Sequence, residues 1–428
     1  MAVGNLNMHT TTTILDNHLR VVTSYMPHTS SVSMMILIGA GSRYENSETA
    51  GLSHFLEHLP FKGTRSWPSA RLISEAVEGA GGIMNATTDR EWTIFWFKVS
   101  TLHFRQAFSV LMDMILHPNL DPDEMEKERA VIQDELRMAN DYPTQRVDLL
   151  IDELLWPNQA MGRDPGGTLD SVANISIDAV KEYMTTQYNP ANTVISLAGN
   201  ITHEEVIELI DLATQEWAPR TSLPWENVKT GARRSEAKVE YRRTDQSNIR
   251  IGLPGVSWND ADRYPLLLLN WIFGGGVSSR LFLNLREDLG LAYDVSSSVD
   301  NFRDCGSLVV CCGVAPRKIR GAVEAIMEQF SLITRGITTS ELTRAKEFTK
   351  NTNLLRMENS SSVATWLCTH EYLLGKVPTM EEVIQSIDAV TEDDIDRVSR
   401  RILIQDNLKT AIVGPHKSDK GILELLQF

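Results

Sequence analysis

Two histidines and a glutamate stand within five residues of "AGLSHFLEHLPFKGT", Ala50 to Thr64. If Ser53 to Leu59 is helical, His54 and His58 are four positions apart and share a face, so their imidazoles can meet one cation. Glu57 lies about 100° around the helix from His58. It can reach a water bound to that cation without being a ligand. Pro60 is expected to kink or end the helix. A solvated or core-edge helix with two hydrogen-bonded histidines is the competing reading. A zinc ion held by two histidines needs a third protein ligand, and catalysis needs an open position for water. The segment "EMEKERAVIQDELRM" offers the carboxylates. Glu128 and Glu135 are seven residues apart, two helical turns, and so on one face. Between them, Val131 and Ile132 are expected to pack the helix on the core, whereas Glu124 and Glu126 read as exposed ion-pairing positions.

The elements that must position these groups read as mixed strands and helices. "VSMMILIGAG", "EWTIFWFKV" and "GSLVVCCGV" read as strands; "SARLISEAVEGAG" and "DEMEKERAVIQDELRMAND" read as helices, the latter starting on Asp121 or Asp123. The chain also repeats itself. Leu169 to Asn200 aligns without a gap on Ile384 to Pro415, an offset of 215 in a chain of 428 residues. Ser176 and Thr391 then cap equivalent helices that lead into short apolar strands ending at Gly199 and Gly414. The expected organisation is α+β: two homologous domains, each a mainly antiparallel sheet with helices packed to one side. A first domain spans 1–218, a Pro-, Ser- and charge-rich linker 219–238, and a second domain 239–428.

Composition narrows the function classes. A net charge of −15 argues against a general nucleic-acid binder, which needs a basic face. It would suit a cavity that attracts basic peptides, but most acidic proteins are simply well solvated, which is the plainer reading. No run approaches the ~18 apolar residues of a membrane span, and the N-terminus lacks the pattern of a targeting segment. Cys305, Cys311, Cys312 and Cys368 read as reduced core thiols, with Cys311 and Cys312 on opposite faces of one strand.

The motif His54-x-x-Glu57-His58, followed after 76 residues by Glu135, resembles the inverted zinc motif of the pitrilysin/insulinase family of zinc metallopeptidases. The words "GSRYE", "HFLEHLPFKGT", "GGIMNATTDRE", "ERAVIQDE", "MGRDPGGT" and "YNPANTVISLAGN" carry the resemblance across essentially the whole chain. The length is similar to that of the short subfamily that includes the mitochondrial processing peptidase beta subunit and bacterial relatives. There, two subunits of two domains close like a clam shell around a chamber. The resemblance implies one Zn2+ per chain, held by His54, His58 and Glu135. It makes Glu57 the general base and Glu128 a carboxylate that orients a ligand. Glu57 would take a proton from an activated water and pass it to the leaving amine. Two positions depart from the family pattern: Pro60, which tightens the helix end, and Asp164 in "GRDPGG".

The same resemblance implies substrate contacts. Asn85, Ala86 and Thr87 would form a sheet edge that pairs with an extended peptide; read from the residues alone, the segment is equally an ordinary hairpin with a glycine turn. In the second half, Leu269 stands 215 positions after His54, so that copy lacks the ligands. "GGGVSSRLFLNLREDLGLAYDV" carries Arg286 and Tyr293. In relatives this pair faces the zinc from the opposite half of the chamber and supports the substrate backbone and the developing oxyanion. A surface helix charge and a half-buried strand residue are the plainer readings. The resulting expectation is a zinc endopeptidase acting on peptides or unfolded polypeptide, as a homodimer or as a heterodimer with a related subunit. It would work in a bacterial-type cytoplasm or, alternatively, the mitochondrial matrix, with neither nucleic-acid nor membrane partners. The competing class is a non-catalytic or obligate partner subunit of a heterodimeric processing peptidase.

Overall fold

Eight consecutive residues, Ser31–Ile38, form a strand that is buried along almost its whole length, which requires both faces of its sheet to be covered. This strand, β3, is central in a six-stranded sheet of order β1-β2-β6-β3-β5-β4. The others are β1 Thr10–Ile14, β2 Arg20–Tyr25, β4 Ile83–Thr88, β5 Thr93–Ser100 and β6 Thr193–Gly199. All pairings are antiparallel except β2 with β6. The computed structural model describes residues 9–229, 234–418 and 421–428.

A second sheet, of order β7-β11-β8-β10-β9, repeats this plan without the first strand. Its strands are β7 Glu236–Tyr241, β8 Ser247–Pro254, β9 Ala292–Asn301, β10 Gly306–Val314 and β11 Lys409–Gly414. Again one pairing is parallel, β7 with β11, and the rest are antiparallel. The internal repeat read from sequence is thus a repeat of topology. Its helices are capped as expected: Ser176 accepts from Ala179 N–H ahead of Ile177–Gln187, and Thr391 from Asp394 N–H ahead of Glu392–Ile402.

Helices in chain order are α1 Leu52–His58, α2 Ala70–Val77, α3 Phe104–Leu116, α4 Pro122–Asp141, α5 Pro143–Leu155, α6 Leu169–Asn174 and α7 Ile177–Gln187. They continue with α8 His203–Thr214, α9 Arg263–Phe273, α10 Ile319–Ile333, α11 Thr339–Arg356, α12 Ser360–Leu374, α13 Met380–Ala389 and α14 Glu392–Ile402. Two units emerge from the contacts. One comprises Met1–Leu136, Asp164–Glu226 and Asn353–Met380; the other comprises Arg137–Arg163, Asn227–Thr352 and Glu381–Phe428.

In the first unit, Val32, Met34, Ile36 and Ile38 point into a core shared with α1 and α3. The alternate residues face α12, where Ser33 Oγ meets Ser360 Oγ at 2.9 Å and Ser196 Oγ donates to the Ala364 carbonyl. Helices therefore cover both faces of this sheet, not one, because β3 and β6 are apolar or small on both sides. In the second unit α5 lies on β11 and β8. Val147, Leu150 and Ile151 pack there with Ala411 and Val413.

On α4 the buried positions are Met125, Glu128, Ile132 and Leu136, whereas Val131 is 43 % exposed. The expectation for Val131 is corrected: one residue, about 100°, turns it off the stripe that Ile132 occupies. Glu124 and Glu126 pair with Lys127 and Arg129 at helical spacing, as expected. Cys312 is buried and Cys311 only half-buried, on opposite faces of β10. The 219–238 stretch has no helix in its described part, which includes the first residues of β7; residues 230–233, like 1–8 of the N-terminus, lie outside the described residues. Among the described residues no helix is long and apolar enough to cross a membrane.

Candidate metal centre

Helix α1 is short, so its start has to be fixed by neighbours. Gly51, at φ +92°, turns the chain into it. The buried Glu45 carboxylate accepts from Gly51 N–H at 2.7 Å and from Ser53 N–H at 2.6 Å, satisfying donors at the helix start. Ser171 Oγ donates to the Ala50 carbonyl, and Ser53 Oγ meets the Tyr183 hydroxyl at 2.8 Å. Leu52, Phe55 and Leu56 then anchor α1 in the core. That leaves His54, Glu57 and His58 facing a cavity of about 390 Å³, which also takes in Phe61, Lys62, Asn85, Glu128 and Glu135. As Pro60 predicts, α1 stops at His58 and the chain tightens into a 3-10 turn over Leu59–Lys62. Helix α4 begins with Asp121 accepting from the N–H groups of Asp123 and Glu124.

The three groups expected to ligate a metal come together. His54 Nε2 and His58 Nε2 are 3.3 Å apart, and each lies 3.7 Å from Glu135 Oε2. Ligands at about 2.0–2.2 Å in a tetrahedron stand roughly 3.3–3.6 Å from one another, so the trio fits zinc within a few tenths of an ångström. His58 Nδ1 lies 3.0 Å from Glu128 Oε2. With the proton on Nδ1, that hydrogen bond leaves the Nε2 lone pair toward the trio. His54 Nδ1 is buried without a hydrogen-bond partner among the described residues. Burial, and then the neighbouring His58, pull the His54 pKa down to about 4, which keeps the ring neutral near pH 7.

Glu57 points at the same cavity. Burial pushes its carboxyl above the ordinary 4.5. Thr88 beside it and the charge of His58 oppose the rise, and Glu135 adds to it. Thr88 ends β4, which among the described residues pairs with β5 alone and leaves its other edge open. On that edge strand Asn85 and Thr87 face outward while Ala86 is buried. Ala86 N–H donates to Asn85 Oδ1 and its carbonyl accepts from the Thr87 hydroxyl.

Arg286 and Tyr293 lie in the second unit. Arg286 sits on a π-helical turn, Phe282–Asp288, and Tyr293 on edge strand β9. The guanidinium carbon is 5.2 Å from the centre of the Tyr293 ring, and Tyr293 is 77 % exposed, not half-buried. Leu269, at the position equivalent to His54, is buried in α9. Three side chains of the centre escaped the sequence reading: Glu45, Lys62 and Thr88. Each lies inside a word that carried the resemblance, "GSRYE", "HFLEHLPFKGT" or "GGIMNATTDRE", but nothing in the spacing marks it as a partner of Glu57, Glu128 or the start of α1.

Residues 20–168 match the family model described as Insulinase (Peptidase family M16), and residues 174–348 match that of the Peptidase M16 inactive domain. An "uncharacterized zinc protease YmxG" of Bacillus subtilis is 34 % identical over 404 residues, 93 % of this chain and 97 % of that protein. An "uncharacterized zinc protease" of Streptomyces coelicolor is 31 % identical over 96 % of this chain and 90 % of its own. Among solved structures, a protease from Helicobacter pylori superposes with a TM-score of 0.90 at 22 % identity, covering 95 % of this chain and 99 % of that one. A peptidase M16 inactive domain from Pseudomonas fluorescens does so at 0.88 and 16 % identity, covering 96 % and 98 %. The structural likenesses establish the fold, and the sequence matches place that fold among peptidases. The chain belongs to the insulinase family, peptidase family M16.

Proposed function

We propose that this chain is a zinc-dependent endopeptidase that cleaves peptides or unfolded polypeptide segments. The observation that carries the reading is the convergence of His54 Nε2, His58 Nε2 and Glu135 Oε2 to 3.3–3.7 Å, with Glu57 in the same cavity. Bound at these three ligands, zinc supplies Lewis acidity that polarises a scissile carbonyl and makes water a nucleophile near neutral pH. Glu128 orients His58 through Nδ1. Glu57 accepts a proton from the attacking water, whose oxygen bonds to the carbonyl carbon. As the C–N bond breaks, Glu57 returns that proton to the leaving amine. The raised pKa of Glu57 suits both halves of this transfer. Asn85, Ala86 and Thr87 on the open edge of β4 pair with the substrate backbone.

Arg286 and Tyr293 are proposed to steady the substrate backbone and the developing oxyanion, within a chamber completed by a second, related or identical subunit. A bacterial-type cytoplasmic setting, one zinc per chain and peptide substrates complete the proposal; the relatives' name of zinc protease supports it. The full set of His54, Glu57, His58 and Glu135 weighs against a purely non-catalytic subunit. Incubating the purified chain with a mixed peptide library, with and without chelator, tests the reading. Internal cleavage that stops on chelation and returns with zinc is expected. Release of terminal residues only would contradict an endopeptidase. Inactivity until a related chain is added would establish the obligate-partner alternative.

A further inference from the structure

Lys62 belongs to the zinc-helix segment but has no part in the reaction as derived. It ends the 3-10 turn opened by Leu59 and Pro60, four residues after His58. Its Nζ is 2.5 Å from Glu128 Oε1, while the other carboxylate oxygen, Oε2, meets His58 Nδ1 at 3.0 Å. The Glu128 side chain is only 6 % exposed and Lys62 is 29 % exposed. One buried carboxylate is therefore shared, oxygen by oxygen, between an ammonium and an imidazole.

The terminal torsion of a glutamate is broad, so the side chain does not itself fix where its oxygens point. Tethering Oε1 to Lys62 leaves Oε2 as the oxygen that faces His58. The buried negative charge also gains the partner it needs. The nearby Lys127 is paired with Glu124 at 2.5 Å. Pro60 lies at the start of the turn that delivers Lys62.

We propose that Lys62 is a positioning residue that acts through Glu128 to hold His58 in its metal-binding orientation. The proposal rests on the zinc reading above. It is tested on the full chain by measuring zinc affinity against a chromophoric chelator, and the visible spectrum at saturating Co2+, for wild type, Lys62→Met, Lys62→Arg, Glu128→Gln and the Lys62→Met/Glu128→Gln double variant. Lys62→Met should lose on the order of tenfold in zinc affinity, the scale of other outer partners of metal ligands. Its cobalt spectrum should shift even at saturation, which a loss of general stability would not cause. Lys62→Arg should recover most of the affinity, and the double variant should bind no more weakly than Glu128→Gln alone. A Lys62→Met chain with wild-type affinity and spectrum overturns the proposal, as do losses that add in full. A wild-type chain that takes up no zinc overturns the zinc reading and this inference with it.

Discussion

Thr88, the last residue of β4, lies beside Glu57 and favours its charged form against the rise that burial causes. The strand proposed to receive substrate thus also borders the proposed base. Glu57→Gln keeps the size of the side chain but cannot accept the proton. It should retain zinc and lose about 10²- to 10⁴-fold in kcat. Metal analysis beside peptide turnover checks both halves; a Gln variant that turns over like wild type removes Glu57 from the mechanism.

Strand addition at β4 has a periodic signature. At this edge Ala86 N–H donates to Asn85 Oδ1 and its carbonyl accepts from the Thr87 hydroxyl, local bonds that a paired substrate strand would replace. A paired substrate strand would offer its own N–H groups to this edge at alternate residues. Single N-methylation of a cleaved peptide should therefore raise KM about fivefold at every second position, the scale of one hydrogen bond, and little at the positions between. Uniform tolerance along the peptide would exclude pairing at this edge.

Gly51 starts α1 at a positive φ, and a methyl group there would collide with the Gly166 carbonyl oxygen. Gly51→Ala should cost at least about 1–2 kcal/mol for the left-handed backbone alone. It should weaken zinc binding too, because α1 carries both histidines. Chemical denaturation and metal titration of the variant provide the check.

In the second unit, Arg280 donates to both oxygens of Glu341 at 2.6 and 2.9 Å, and Thr338 N–H adds a bond at 2.8 Å. These bonds hold the carboxyl down at about 2, below its ordinary 4.5. A depressed folded-state value stabilises the fold above the unfolded value, and that stability is lost as pH falls from about 4.5 toward 2. Glu341→Gln should start less stable at neutral pH and show a shallower loss across that window. Parallel acid limbs for variant and wild type would show that the pair does not contribute.

Much of this architecture was legible because it is local. Pro60 stops α1, Asp121 starts α4, and Ser176 and Thr391 cap equivalent helices; each is a single residue acting on its neighbours. The 215-residue offset was legible because helix and strand lengths survive divergence even where identities do not. Which sheet α5 and α12 each cover was not legible. An apolar stripe such as Val147, Leu150 and Ile151 states that a face is buried, not against what. Val131 failed for a related reason, since adjacent apolar residues do not share a helical face.

Within the centre, His54, Glu57 and His58 were readable from one helical turn, and Glu135 from the resemblance and its phase with Glu128. Lys62, Thr88 and Glu45 were not, because each acts on a group distant along the chain or by way of a backbone turn.

The central claim is that His54, His58 and Glu135 hold one zinc ion. Zinc content and affinity of wild type, His58→Ala and Glu135→Ala, measured on the same preparations as peptide cleavage, test it most directly. One tightly bound zinc per wild-type chain, lost from both variants together with cleavage, is the expected result. A Glu135→Ala chain that binds zinc and cleaves like wild type would contradict the account.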